Sequence, residues 1–284
     1  MRIAYLGPAG TNSHEALLAA TAGSANEHVS LPTIYDCVIA VQEGKADRAF
    51  VPIENALEGS VNATLDAIAV ETDDVAIVGE HVHAIHTCLI ARAPLELGAI
   101  ETVVSHPQAN AQCAHFLRTR LPQATVLAAS STAEAVRTVA EQDGPTAALG
   151  SRTAARLYGC EVLRADVDDA AGNETRFVWL AKRDPAHDPH GTPAAEHGPW
   201  KTAIVFWGVG AEAPGWLVRC LSEFAFRGVN LTRIESRPRK QGLGRYMFFI
   251  DIEGRAGEGP VAEALEALRA HAEHLRVLGS FPAA

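Results

Sequence analysis

The chain has 284 residues, 48% of them hydrophobic and 20% charged, which suits one large or two modest globular domains with material for a core. Its formal net charge of −10 argues against a nucleic-acid or anionic-membrane partner, since both need a basic face. A small anionic ligand stays allowed, because helix N-termini and a few local groups can hold one. Five cysteines (Cys37, Cys88, Cys113, Cys160, Cys220) are odd in number and form no Cys-x-x-Cys pair, so they read as reduced thiols. No signal-like apolar region precedes the strand at 2–6, and no apolar run approaches the ~18 residues of a membrane span. A cytoplasmic protein is expected.

In chain order, strand-like runs at 2–6, 48–53, 75–79, 102–105, 124–128, 146–149 and 176–182 alternate with helical patterns. The helices are expected at 13–22, 35–44, 60–70, 108–120, 131–142 and 151–158. Such alternation predicts an α/β domain with largely parallel sheets and ligands at strand C-terminal ends. The stretch 184–199, rich in Pro, Gly and His, reads as a linker. Beyond it, runs at 201–207, 214–227, 229–237, 244–252, 258–271 and 274–279 follow the ferredoxin-like βαββαβ order. Gly228 and Asn230 punctuate the first helix there, and Gly242-Leu243-Gly244 marks a hairpin turn.

Polar clusters close several strands. Gly7-Pro8-Ala9-Gly10-Thr11-Asn12-Ser13 is either a tight turn plus helix cap or an anion cradle, in which Gly10 admits close backbone approach. Asn12 and Glu15 have capping-box spacing. Ser105-His106-Pro107-Gln108 and Ser131-Thr132-Ala133-Glu134 also fit a capping box, the commoner meaning of that pattern. Gln108 and Gln112 share a helical face, an arrangement that would suit recognition of a small polar ligand. Asn173-Glu174-Thr175-Arg176-Phe177 leads from the acidic loop 166–169 into an apolar strand. Arg176 could simply neutralise those carboxylates; alternatively, a hydroxyl beside a guanidinium serves a leaving oxygen and a carboxylate.

Two other patterns carry less. His81 and His83 would share one face of a strand while His86 points away, so a metal site lacks a third ligand. Gly208-Val209-Gly210-Ala211-Glu212-Ala213, with Glu235 further on, imitates a dinucleotide fingerprint. Pro214-Gly215 interrupt it at once, and the following order is βαββαβ rather than repeated βαβ.

Taken in order, these junctions resemble bacterial prephenate dehydratases. The likeness rests on 7–16, on Pro52-Ile53-Glu54-Asn55-Ala56-Leu57-Glu58-Gly59-Ser60-Val61, on 105–113, on Ser131-Thr132-Ala133 and on Thr175-Arg176-Phe177. The tail, Pro214-Gly215-Trp216-Leu217 through 230–238, resembles the ACT regulatory domain of those enzymes. Asn12 stands where the family usually has an aromatic residue, and Ala56 where Ser is common. Trp216 replaces the Ala of a Gly-Ala-Leu motif that helps enclose the effector.

The resemblance implies an α/β catalytic domain at 1–183, two-lobed like a type II periplasmic binding protein. One lobe would span about 1–80 and 170–183, the other about 81–169, with a linker at 184–199 and a ferredoxin-like ACT domain at 200–284. It implies a lyase of phenylalanine biosynthesis that converts prephenate to phenylpyruvate, water and carbon dioxide, using neither metal nor organic cofactor. Thr175, Arg176, Ser105, Gln112 and Asn55 are the catalytic candidates. Thr11, Ser13, Ser131, Thr132, Gln108 and Phe177 are expected to bind substrate, with Arg176 gripping a carboxylate. Phenylalanine is the expected allosteric effector, bound at Gly215, Trp216, Leu217, Asn230, Leu231, Glu235 and Ser236 between paired ACT domains of a dimer or tetramer. Arogenate dehydration, or amino-acid sensing without turnover, would suit the same fold. With no helical segment before the first strand, a fused chorismate mutase is not expected.

Overall fold

The computed structural model describes residues 1–183, 198–208 and 213–284, so most of the expected linker and the core of the dinucleotide-like motif lie outside the described residues. The chain begins with β1 (Arg2–Leu6), α1 (Asn12–Ala20), β2 (Glu27–Leu31), α2 (Ile34–Gln42), β3 (Arg48–Asn55) and β4 (Gly59–Ser60). α3 (Asn62–Val70) and β5 (Val75–Ala84) complete this first run. Next come β6 (Cys88–Ala91), β7 (Thr102–Ser105), α4 (Pro107–Gln112), α5 (Ala114–Arg120) and β8 (Thr125–Ala128). α6 (Thr132–Glu141), β9 (Thr146–Gly150), α7 (Arg152–Tyr158) and β10 (Glu161–Arg164) follow, and β11 (Glu174–Lys182) leads back. The tail holds β12 (Trp200–Trp207), α8 (Trp216–Ala225), β13 (Leu231–Pro238), β14 (Tyr246–Glu253), α9 (Gly259–Arg269) and β15 (His274–Pro282).

Three sheets result. The first runs β2-β1-β3-β11-β5 with β4 on β3, the second β10-β6-β9-β7-β8, and the third β13-β14-β12-β15. The chain leaves the first sheet after β5 and returns along β11, giving two α/β lobes with two crossings. This is the two-lobed plan, with the βαββαβ tail, that the resemblance implied. The sheets are mixed rather than largely parallel: β11 runs antiparallel to β3 and β5, and β6 antiparallel to β9 and β10. An antiparallel returning strand is what a chain crossing twice between lobes needs.

Strand parity sorts the first sheet's side chains. Phe50 and Phe177 stack on one face, centroids 4.8 Å apart, in a cluster with Tyr5 and the α1 residues Ala16 and Leu17. Ala49, Val51, Ile53, Val178 and Leu180 face the other way, into a core shared with α2 and α3. That core also includes Val205, Phe249, Leu278 and Phe281 of the tail. The third sheet therefore packs one face on the first lobe and the other on α8 and α9. The backbones come very close there: a Cβ on Gly279 would lie 2.0 Å from the Ile77 carbonyl oxygen of β5. Burying so much apolar surface between sheet and lobe opposes independent movement of the tail.

Local chemistry explains several departures from the expected elements. The helix expected at 108–120 breaks at Cys113, where the Asp169 carboxylate accepts from the backbone N–H of His115 (2.7 Å) and Phe116 (3.0 Å) and so caps α5. Thr11, not Asn12, caps α1 by accepting from the His14 N–H, and Glu15 reaches Thr153 of the other lobe at 2.8 Å. All five thiols are free, and burial pushes Cys37 and Cys113 up to about 12. Among the described residues no helix is long and apolar enough to cross a membrane.

Candidate active site

A cleft of about 880 Å³ lies between the lobes. Its first-lobe wall carries Thr11, Asn12 and Ser13 at the start of α1, together with Asn55, Thr175 and Phe177. Gln108 and Gln112 of α4 and Ser131 and Thr132 at the start of α6 face them. Ser131 caps α6, its Oγ accepting from the Glu134 N–H at 3.0 Å, so that helix start is fixed from within. Contacts bridge the lobes beside the cleft: the Ser151 hydroxyl donates to the Gly10 carbonyl at 2.9 Å. Gly10, at φ 88°, supplies the left-handed turn, and a Cβ there would meet Ala133 and Ala154 at 3.3–3.4 Å.

A string of amides converges on Thr175. Asn55 and Thr175 are cross-strand partners on β3 and β11. The Asn55 side-chain oxygen accepts from the Leu57 and Glu58 N–H groups, both at 3.0 Å, which fixes the amide's orientation. Its Nδ2 therefore faces Thr175 and donates to Oγ1 at 3.0 Å. Nδ2 is also 2.9 Å from the Asn173 side-chain oxygen. Asn173 donates in turn to Gln112 Oε1 at 3.3 Å, and Gln112 donates to Glu58 across the lobes at 3.3 Å. Because the nearly buried Thr175 accepts from Asn55, its own proton is free for a ligand in the cleft. Asn173, absent from the expected set, precedes β11 by one residue, and its place beside Thr175 comes from its hydrogen bonds to Asn55 and Gln112.

Two expected site residues do not face the cleft. Arg176 lies between Thr175 and Phe177 on β11, and the period of a strand sends its side chain to the opposite face. There Nη2 meets Asp251 of the third sheet at 2.5 Å and Nη1 meets Glu80 at 3.2 Å. Nε sits 3.2 Å from Glu54 without hydrogen-bond geometry. Burial alone would lower the guanidinium's pKa, but Asp251, Glu80 and Glu54 outweigh it and raise it. Arg176 also does not neutralise the acidic loop: Asp166 pairs with His86, Asp168 accepts from Thr87, and Asp169 caps α5. Ser105 is fully buried, and its hydroxyl donates to the Leu149 carbonyl at 2.7 Å rather than capping a helix. His106 caps α4 instead, accepting from the Gln108 N–H.

Consequently no lysine or arginine stands among the described residues lining the cleft, which leaves hydroxyls, amides, helix starts and the His106 imidazole to receive an anion. No group of three metal-binding side chains was found among the described residues; His81 and His83 share a face with rings 6.0 Å apart.

The expected effector residues are spread over the tail. Gly215 and Trp216 begin α8, whereas Asn230 and Leu231 lie beyond its other end, about 15 Å away by helix rise. Glu235 is turned toward the first lobe, accepting from the Ser60 hydroxyl at 2.9 Å, while Ser236 is exposed on the opposite face of β13. A single tail therefore does not gather them into one pocket. Trp216 is built into the tail's core, its indole N–H donating to the His271 carbonyl at 2.8 Å.

Fold and site together define a two-lobed α/β enzyme with an appended βαββαβ domain. The family model for prephenate dehydratase matches residues 3–185, and that for the ACT domain matches 211–270. The prephenate dehydratase of Amycolatopsis methanolica is 42% identical over 99% of this chain and 88% of its own length. A crystal structure of prephenate dehydratase from Arthrobacter aurescens in complex with L-Phe is 36% identical, with TM-score 0.87 over 99% of this chain and 90% of that one. A structure described as GqqA, a novel type of quorum quenching acylase, is 29% identical, with TM-score 0.85 over 100% and 98%. The chain belongs to the prephenate dehydratase family.

Proposed function

We propose that the chain converts prephenate to phenylpyruvate, water and carbon dioxide in phenylalanine biosynthesis, under feedback by phenylalanine at its ACT domain. One observation carries the chemistry: the Thr175 hydroxyl, held by Asn55 as an acceptor, offers its proton to the cleft. Prephenate must lose a ring hydroxyl and a ring carboxylate together. Thr175 donates to the leaving oxygen, Gln112 orients it, and one proton taken up from solvent balances the water released.

The cleft's lack of a guanidinium suits this reaction. A cation on the ring carboxylate would stabilise the ground state that must break, whereas hydroxyls, amides and the starts of α1 and α6 bind it more gently. A structure of this fold is described as an acylase, so the fold alone does not fix the chemistry and the site must. No imidazole or carboxylate among the described residues is hydrogen-bonded to Thr175 Oγ1. The hydroxyl is thus set up as a donor and not as an activated nucleophile.

The effector reading is supported by the separation of Gly215–Leu217 from Asn230–Leu231: two tails, paired with opposite ends of α8 together, would complete a site that one tail leaves open. A cytoplasmic homo-oligomer, dimer or tetramer, is the assembly this requires. Purified protein incubated with prephenate should form phenylpyruvate, read by its alkaline ultraviolet absorbance, and added phenylalanine should change the rate. Arogenate assayed in parallel separates the two dehydratase activities, and the absence of turnover on both would refute an enzymatic role.

A further inference from the structure

The pairing of β11 with β3 is irregular next to Thr175: Arg176 pairs with Glu54 and Phe177 with Pro52, so Ile53 of β3 is the extra residue, while the ladder with β5 runs unshifted from Glu174 to Trp179. A bulge bends the strand that carries it, so on the β3 side, where Asn55 meets Thr175, the ladder alone does not set how the two are aimed at each other. The side chain at the bulge, however, is tied down by another domain. Asp251, buried in the middle of the third sheet on β14, receives Arg176 Nη2 at 2.5 Å and Arg233 Nε at 2.9 Å. Glu80 on β5 receives Arg176 Nη1 at 3.2 Å and Lys201 Nζ at 2.8 Å. Glu54, at 3.2 Å, supplies the third acid. Three carboxylates (Glu54, Glu80, Asp251) thus meet three cations (Arg176, Arg233, Lys201), so the buried group is neutral as a set.

The same tail holds the far end of the loop that carries Asn55 directly, and its near end only through Arg176. Glu54 is next to Arg176, and the Ser60 hydroxyl donates to Glu235 and lies 3.4 Å from Arg233 Nη1. We propose that Asp251 of the regulatory sheet is a positioning residue for the reaction: by fixing Arg176 it holds β11 so that the Thr175 hydroxyl meets the leaving oxygen. This rests on the reading of Thr175 given above. It makes the catalytic geometry depend on a carboxylate in the other domain, which a purely structural ion pair would not.

The test is steady-state turnover of prephenate by the full-length chain and its variants D251N, R176K and T175A, with thermal unfolding to establish the folded fraction. Asp251→Asn should lower kcat by about tenfold or more while KM stays within about threefold, the pattern of lost transition-state alignment. Arg176→Lys, which keeps the charge but not the three-way fork, should do the same. The double variant should lose no more than the worse single, since both act through one anchor.

Folded D251N with normal kcat, a loss confined to KM, or additive losses would each overturn the proposal. Should D251N fail to fold, R176K decides alone, and wild-type kcat there overturns it. Normal turnover in T175A would instead sink the reading of Thr175, whereas a crippled T175A beside a normal D251N sinks only the anchoring.

Discussion

Asn55 Nδ2 donates to Thr175 Oγ1 at 3.0 Å, across the β3–β11 pair, while two backbone N–H groups hold the Asn55 carbonyl oxygen in place. That one direction of donation decides what the threonine can do. With a lone pair engaged and its proton free, it serves as a hydrogen-bond donor in a cleft that has no lysine or arginine among its described lining residues.

Thr175→Ala should cost roughly 10²–10⁴ in kcat, the usual range for a lost acid-type donor, while Thr175→Ser should keep most of the activity. Phenylpyruvate formation under saturating prephenate measures both. Equal losses in the two variants would point to packing rather than to the hydroxyl.

Asn55→Asp exchanges a donor for an acceptor with little change in shape. The Thr175 proton should then turn to the new carboxylate, cutting kcat on the order of 10²-fold. Protonating that carboxylate restores a donor, so the variant's residual activity should rise toward acid pH relative to the native enzyme. A pH–rate profile of the two proteins checks this.

His14 lies beneath the loop that opens α1: its Nδ1 accepts from the Gly10 N–H at 3.1 Å, and its ring stacks on Tyr5. Burial lowers its pKa, His28 adds to the effect, and Glu15 opposes it. A depressed folded-state value means the native state favours the neutral ring. The stabilisation is complete above the ordinary value of 6.5 and is lost as pH falls through the lowered one. Melting temperature should therefore drop on acidification below about 6.5, and His14→Gln should flatten part of that drop. Unfolding scans from pH 5 to 8 read the difference.

Trp216→Ala should destabilise the tail by about 3–5 kcal/mol, because it empties a buried indole from the α8–α9 core and removes its bond to His271. Denaturant unfolding measures the loss. The small residue also restores the form of the relatives' motif, so calorimetric titration of phenylalanine should detect a changed affinity in any variant that stays folded.

Much of the fold was legible in the residues, although β2, β6, β10 and the two-residue β4 escaped notice. β2 is a half-exposed edge strand with no clean alternation, and β6 is too short and too uniformly apolar to show a period. Of the site, Thr11, Ser13, Asn55, Gln108, Gln112, Ser131, Thr132 and Thr175 were named in advance and line the cleft, whereas Asn12, Ser30, Thr87 and Ser130, which also line it, were not. Asn173 was overlooked because it lies in the loop just before β11, where no period marks the side a residue faces. Ser105 misled because the capping-box pattern does not reveal that the strand continues through it, leaving His106 to cap the helix.

By itself the sequence determined the alternation of elements, the order of the polar junctions and hence the family, since these are properties of neighbours along the chain. What only tertiary structure decided was the side on which Arg176 acts. Adjacent residues on a strand face opposite ways, and which side holds substrate depends on distant partners. Here Glu80 and Asp251 claimed the guanidinium, and no arginine or lysine is left among the described residues lining the cleft. The same holds for Trp216, whose indole the packing of α8 and α9 drew into the tail's core.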